Sequence, residues 1–460
     1  MLACVVVLGI AGSATVRAAT RTWTGLGATN NWSDTGNWSG NAVPGAADIA
    51  TFDATSSKNA TMNVAVNVLG LSVAATYGGT ITQSAGIAVT VGATGFSQAG
   101  GSFSGGTAGF TVNGPYALSG GTFAATSGTQ TVTGAFTISG GAFNAGAGLV
   151  SFSGGAATLT VSTADTFNNL THAAGTKTIA AGTTLTVTGT TTLTAGSLNG
   201  AAGTLAAQGD VNQALGYGGG TATLLFSGSG AQTFTGASTT ASGSLPLVVI
   251  DKPSGTLTLA GTIRTTKDWT YTAGSVDAAA STLVFAGGTI TGSQTLNAFD
   301  LRATTSIAAG TTLTVTGSTA FTTGALNGTG TLAAQGAISE ASTATVGTAT
   351  LAISGSGAQT LTGTATAAAG SLPLVVINKP SGTLTLAGTI RTSTNWTSTA
   401  GTIDPGTSTV IFAGGTITGS HTLNIVDVRA TTSIAAGSTL TVAGSTMLTS
   451  GSLNGTGTLA

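Results

Sequence analysis

The sequence predicts an all-β protein: an elongated parallel β-solenoid (β-helix) built from 20-residue coils within 127-residue repeats. Three observations carry that expectation. Short runs alternate apolar and hydroxyl side chains, a phrase bearing aromatics and glycines returns at a fixed short interval, and a longer text returns almost unchanged one large repeat further on. The competing architecture is a string of β-sandwich domains, one for each 127-residue repeat. That arrangement calls for linkers, and no Pro-rich or polar spacer interrupts the strand pattern at the repeat junctions.

The strands come first. In Thr184-Leu185-Thr186-Val187-Thr188 the hydroxyls fall on one face and the apolar side chains on the other, the period-2 signature of a half-buried strand. The phrase aromatic-x-x-x-Gly-Gly-x-Phe spans Phe96 to Phe103, Tyr116 to Phe123 and Phe136 to Phe143, and a relaxed form runs from Trp269 to Val276 and from Trp396 to Ile403. At the larger scale, AAGTTLTVTG with its glycine at Gly182 returns at Gly310 and, as AAGSTLTVAG, at Gly437. Ser254 to Thr265 recurs letter for letter at Ser381 to Thr392, and Arg302 to Gly310 at Arg429 to Gly437. Short strands joined by Gly-rich corners at this interval stack like residues over like, each coil pairing its backbone with the coil below at about 4.8 Å. A repeat then holds about six coils, and roughly twenty coils would make a rod on the order of 100 Å long.

Composition supports strands and narrows function. Of 460 residues 73 are Gly and only 5% are charged, far below the share on an ordinary soluble enzyme. Good helix formers other than Ala are scarce, while Thr, Val, Ile and Leu carry the pattern. The 41% apolar fraction and its regular spacing argue against disorder. A formal net charge of -1 leaves no field to attract phosphates, so nucleic acid is not an expected partner.

At the start, the apolar run of residues 2–11 followed by Val16-Arg17-Ala18 reads as a secretory signal cleaved after Ala18. The single cysteine, Cys4, lies inside it, so no disulfide staples the rest, and no later stretch is an uninterrupted apolar run of the length a transmembrane helix requires. The chain divides into a signal peptide (1–18), a Trp-rich N-terminal cap (19–60), a solenoid with the 20-residue period (61–181), two repeats (182–309 and 310–436) and a truncated third (437–460). The cap holds Trp23, Trp32 and Trp38; packing over the open first edge is the expected role, and stacking on sugars the alternative.

The opening Trp-x-Gly, Asn31-Trp32-Ser33, Asn37-Trp38-Ser39, Pro44 and Asp48-x-Ala50-x-Phe52, followed by Thr-, Gly- and Val-rich repeats, resemble the large exported bacterial β-strand-repeat surface proteins, autotransporter passengers and adhesin-like proteins. Phe167-Asn168-Asn169-Leu170 and Leu372-Pro373-Leu374-Val375-Val376-Ile377 look similar too. The resemblance covers nearly the whole chain after the signal. It implies a β-helical stalk, secreted or displayed at the outer membrane, that works in adhesion or matrix formation. The implied partners are a host or neighbouring-cell surface, or extracellular polysaccharide. The sequence carries no translocator barrel or anchor and stops inside its third repeat at Thr458-Leu459-Ala460, which reads as a fragment of a longer protein.

Catalysis needs titratable groups gathered together, and here they are sparse. No catalytic, cofactor-binding or metal-binding residue is assigned, no cofactor is expected, and the chain reads as a non-enzyme. His172 and His421 are expected at the surface or in loops; the copy of His421 is Gln294. A polysaccharide-active β-helix enzyme is the first alternative, but Asp251, Asp268, Asp277 and Asp300 are matched by Asn378, Asn395, Asp404 and Asp427. The retained pairs, Asp277/Asp404 and Asp300/Asp427 with Arg302/Arg429 beyond, are expected in turns and on solvated faces. No tandem GGxGxD calcium motif occurs, and Gly218-Gly219-Gly220 reads as a corner, not a phosphate loop. A further alternative is ice binding through Thr-x-Thr at Thr131, Thr158, Thr184, Thr256, Thr312, Thr383 and Thr439, whose spacing is irregular. The expected role is a scaffold acting through weak repeated contacts, made sufficient by avidity.

Overall fold

In the computed structural model, which describes residues 18–460, the chain is all-β, 55% strand and 1% helix, wound in parallel coils of about 20 residues. The apolar segment of the signal reading at residues 2–11, with Cys4, lies outside the described residues. There are two compact units, one ending at Gly148 and one beginning at Leu149, which together hold about 21 turns. No helix among the described residues is long and apolar enough to cross a membrane.

In the first unit the 20-residue phrase becomes a ladder of rings. Phe96, Tyr116 and Phe136 occupy one register column, as do Phe103, Phe123 and Phe143. In the first column the centroids are 5.0 and then 4.8 Å apart, with the planes tilted by 26° and 13°. In the second they are 4.8 and 5.9 Å apart and nearly parallel, at 7° and 4°. The rings repeat at about the spacing of hydrogen-bonded strands, because in-register pairing places each over its counterpart. The corner between the columns depends on glycine: Gly121 has φ 73°, and a Cβ there would fall 2.4 Å from the Gly101 carbonyl oxygen.

The Trp-rich segment begins with Thr20–Thr22, which pairs in parallel with Ile49–Phe52, itself paired with Val66–Val73. Trp38 packs edge-on against Trp23 at 5.1 Å and against Trp32 at 4.6 Å, and Phe52 joins the cluster to Tyr77 at 5.1 Å. The indole N–H groups of Trp23 and Trp38 donate to the carbonyls of Lys58 and Trp32 at 2.9 and 2.8 Å. Beneath them buried Asn37 ties the loop together, donating to the Thr29 and Asn31 carbonyls and accepting from the Gly27 N–H. All three tryptophans are at most 1% exposed, so the sugar-stacking alternative fails: no ring face is open to a ligand.

In the second unit each 127-residue repeat contains one unusually long strand, Leu247–Thr265 and its copy Leu374–Thr392. Leu247–Thr265 pairs with Thr223–Phe226 and Gln232–Ala237 on one side and with Trp269–Asp277 and Thr282–Phe285 on the other. It does so by bending at Gly255 and Gly261, both in the left-handed region; a Cβ on Gly261 would lie 2.3 Å from the Gly236 carbonyl oxygen. Strands pair straight across the repeat junctions. Thr305–Ile307 pairs with Leu326–Gly328 across Gly310, and His421–Leu423 with Thr439–Val442 across Gly437. The β-sandwich alternative is thereby overturned within this unit, since separate domains would not share a ladder.

Replacing Phe123 by Ala removes the middle ring of its column. The expected cost is roughly 3–5 kcal/mol, because the neighbouring coils are held at the strand spacing and cannot collapse into the void. Guanidinium unfolding of the variant should show a clearly lower midpoint; an unchanged midpoint would mean that the ring column carries little of the stability.

Candidate functional site

The structure places the sparse titratable groups mostly as parts of the fold. His172 closes the strand Asn169–His172 and is buried, which corrects the expectation of a surface or loop histidine. Alternation along the strand turns Leu170 and His172 inward together. Nε2 of His172 lies 3.1 Å from the Gly175 carbonyl, which only accepts, so Nε2 carries the proton and Nδ1 accepts from the Tyr217 hydroxyl at 3.1 Å. Burial holds the imidazole below its ordinary pKa and pushes the phenol of Tyr217 up, disfavouring the charged form of each. His421 lies on the strand His421–Leu423, half-buried, with Nδ1 3.0 Å from the Gly419 carbonyl.

The acids separate into two kinds. Asp277 and Asp404 are exposed at turns, where they accept the N–H groups of Ala279 and Gly406 at 2.9 and 3.0 Å. Asp300 and Asp427 are buried, which corrects the expectation of a solvated face. Each accepts from the arginine two residues on, Arg302 at 2.8 Å and Arg429 at 2.7 Å, and from a hydroxyl one coil above, Thr322 or Thr449, at 2.7 Å. With both carboxylate oxygens paired, each acid tolerates burial. Among the described residues no three His, Cys, Asp or Glu side chains come together as metal ligands would.

Three buried lysines form internal bridges that the sequence reading missed. The Lys252 ammonium donates to the Gly228 and Gly230 carbonyls at 2.6 and 3.0 Å and to Gln232 Oε1 at 2.5 Å. Its copy Lys379 repeats this with Gly355, Gly357 and Gln359 at 2.6, 2.9 and 2.6 Å. Lys177 holds the Ser153 and Gly155 carbonyls at 2.5 and 2.7 Å. In the two copies three N–H donors meet three acceptors at the corner of the coil below. The alternation Val248, Ile250, Lys252 would have placed the lysine inward.

The second repeat also holds a cleft of about 360 Å³ between the segments 342–346 and 368–371, with Arg391 and Ser393 at its back. Beside it is Glu340, the only glutamate in the chain, buried at the end of the strand Ile338–Glu340. Its Oε2 accepts the Arg391 backbone N–H at 3.0 Å, while Oε1 has no partner. Burial raises its pKa to about 8, so the carboxyl is neutral at pH 7. Its copy one repeat earlier, Gln213, is a neutral side chain of the same shape. That exchange was the available signal for a buried, protonated acid.

Two substitutions check these assignments. Below about pH 4.5 Glu340 is protonated both folded and unfolded. As pH rises toward 8 only the unfolded chain loses the proton, so stability falls across that window and the penalty saturates above it. Glu340→Gln should therefore stabilise the protein on the order of 3 kcal/mol at pH 7 and little at pH 4, read as melting temperature against pH; equal gains at both would exclude a neutral buried acid. Lys252→Met leaves buried carbonyls without a donor and should cost roughly 2–4 kcal/mol in denaturant unfolding.

No protein-family model, curated protein or solved structure matches the chain, so its function has to be read from fold and side-chain chemistry.

Proposed function

We propose that this is a non-catalytic structural or adhesive protein exported to the bacterial surface or extracellular matrix, of the same kind as autotransporter passengers and adhesins. The observation that carries the reading is the in-register stacking of coils whose outward residues are mostly uncharged, which builds walls of hydroxyl and backbone groups. Repeated weak contacts along such walls give avidity for a cell surface or an extracellular polysaccharide.

Side-chain placement supports this over the enzymatic alternative. Glycoside chemistry commonly uses two carboxyls facing one bond; here Asp300 and Asp427 are engaged by arginine, Asp277 and Asp404 hold turns, and Glu340 is shut from solvent. Ice binding has less support still. Thr184 and Thr186 pair with Thr204 and Ala206, then with Thr223 and Leu225, and Thr312 and Thr314 pair with Thr331 and Ala333. A Thr-x-Thr rank thus ends after one coil.

Antibody labelling and protease shaving of intact source cells test the placement: labelling and digestion at the surface, or recovery from the matrix, are expected, and recovery only from the cytosol would overturn it. Incubation with a panel of polysaccharides tests the chemistry. No new reducing or unsaturated ends are expected; their release by the purified chain would establish an enzyme instead.

A further inference from the structure

Of the four arginines in the second unit, Arg302 and Arg429 are ion-paired and Arg264 and Arg391 are not. Arg391 lines the 360 Å³ cleft. Its Nη1 donates to the Gly370 carbonyl at 2.8 Å, which fixes the guanidinium, and its buried Nε has no partner. Among the described residues no carboxylate lies within ion-pair distance of it, and the cleft lining contains no Asp or Glu. Glu340 accepts the backbone N–H of Arg391 and makes no ion pair with its guanidinium. A fixed guanidinium without an ion-pair partner in a concave site selects an anion, and a carboxylate accepts from the N–H groups that the Gly370 carbonyl leaves free.

The remaining walls say what else the ligand carries. Ser371 and Ser393 face each other at 3.1 Å at the back, and Ser342, Thr343 and Thr345 lie on the lip. Val346, 46% exposed, offers an apolar surface at the rim. Hydroxyls, a small apolar face and a cation together suit a polyol ring bearing an acid group, and the volume sits at the small end of ligand pockets, at roughly 300 Å³ and above. The first repeat supplies an internal contrast. Arg264 makes the same bond, to the Gly243 carbonyl at 2.8 Å, but Leu215, Tyr217 and Gly219 stand where the cleft has Ser342, Ala344 and Val346.

We propose that the cleft around Arg391 binds the carboxylate of an acidic sugar residue, a uronic acid, with the guanidinium on the acid group and the serine and threonine hydroxyls on the ring. This goes beyond the scaffold reading and does not depend on it, since a solution binding measurement is indifferent to where the protein is displayed.

Calorimetric titration of the purified chain with sodium D-glucuronate, D-glucose, acetate and sulfate, and with hyaluronan as a glucuronate-containing polymer, tests it. One glucuronate per chain is expected, with no measurable binding of glucose and at least tenfold weaker binding of acetate and sulfate. Polymer binding at least as tight per chain identifies a polysaccharide residue as the source of the carboxylate; binding of the monomer alone identifies the free acid. Arg391→Gln should weaken glucuronate at least tenfold. Ala369→Trp, which fills the cleft from its exposed lip and leaves Arg391 and its carbonyl bond in place, should do the same with an unchanged melting temperature. Arg264→Gln removes the equivalent bond in the first repeat and should change affinity less than twofold. Absence of glucuronate binding, acetate binding as tightly as glucuronate, or wild-type affinity in Ala369→Trp would each overturn the assignment.

Discussion

Everything in this molecule depends on one constraint: each coil exchanges backbone hydrogen bonds in register with the coils on either side, so a residue meets its own counterpart one turn away. A column is therefore a chain of like side chains at about 4.8 Å. Phe over Tyr over Phe gains ring contact at every step. A charge gains nothing. Two like unit charges at that distance repel by about 1 kcal/mol even in water and by several times that near a protein surface, repeated at every coil. The 5% charged fraction is a consequence of the stacking rule, quite apart from any chemistry the protein performs. Charges persist where the rule is evaded, as when Arg302 turns back on Asp300 within its own coil or a lysine leaves the wall for the interior.

The interior lysines show how such a fold treats its corners. A corner at Gly228 or Gly230 turns carbonyls inward, where the strand ladder cannot reach them. An ammonium on a long, flexible stem can reach from the coil above and satisfy several at once, at the cost of desolvating one charge. The duplicated pair Lys252 and Lys379, with almost the same three distances, makes this a repeated structural part, which explains why neither has a carboxylate partner.

How much was legible beforehand follows from the same physics. The 20-residue phrase and the strand alternation contain the coil, because both depend on short-range pattern. Alternation also turns His172, Lys252 and Glu340 inward, while residue type argues the opposite; at these positions the backbone period prevails over the side chain's preference for water. What alternation could not reveal is the burial of Asp300, which sits out of phase with its buried neighbours Phe299 and Leu301 and is covered only because Arg302 and Thr322 close over it. The contact of His172 with Tyr217, two coils on, and the cleft at Arg391 likewise need the third dimension. They join residues from different coils, whose alignment across corners of unequal length no spacing in the sequence specifies.

The unbroken ladder across the repeat junctions also bears on how the second unit would respond to tension. A string of domains yields in large jumps, each releasing a whole domain's length. Here the duplication boundaries at Gly310 and Gly437 coincide with no mechanical seam, since coils on either side share hydrogen bonds. A pull on the carboxy-terminal end would peel the strands one coil at a time, releasing roughly 70 Å per 20-residue turn. Extension would thus be graded, with a length of yield set by the coil and not by the gene duplication.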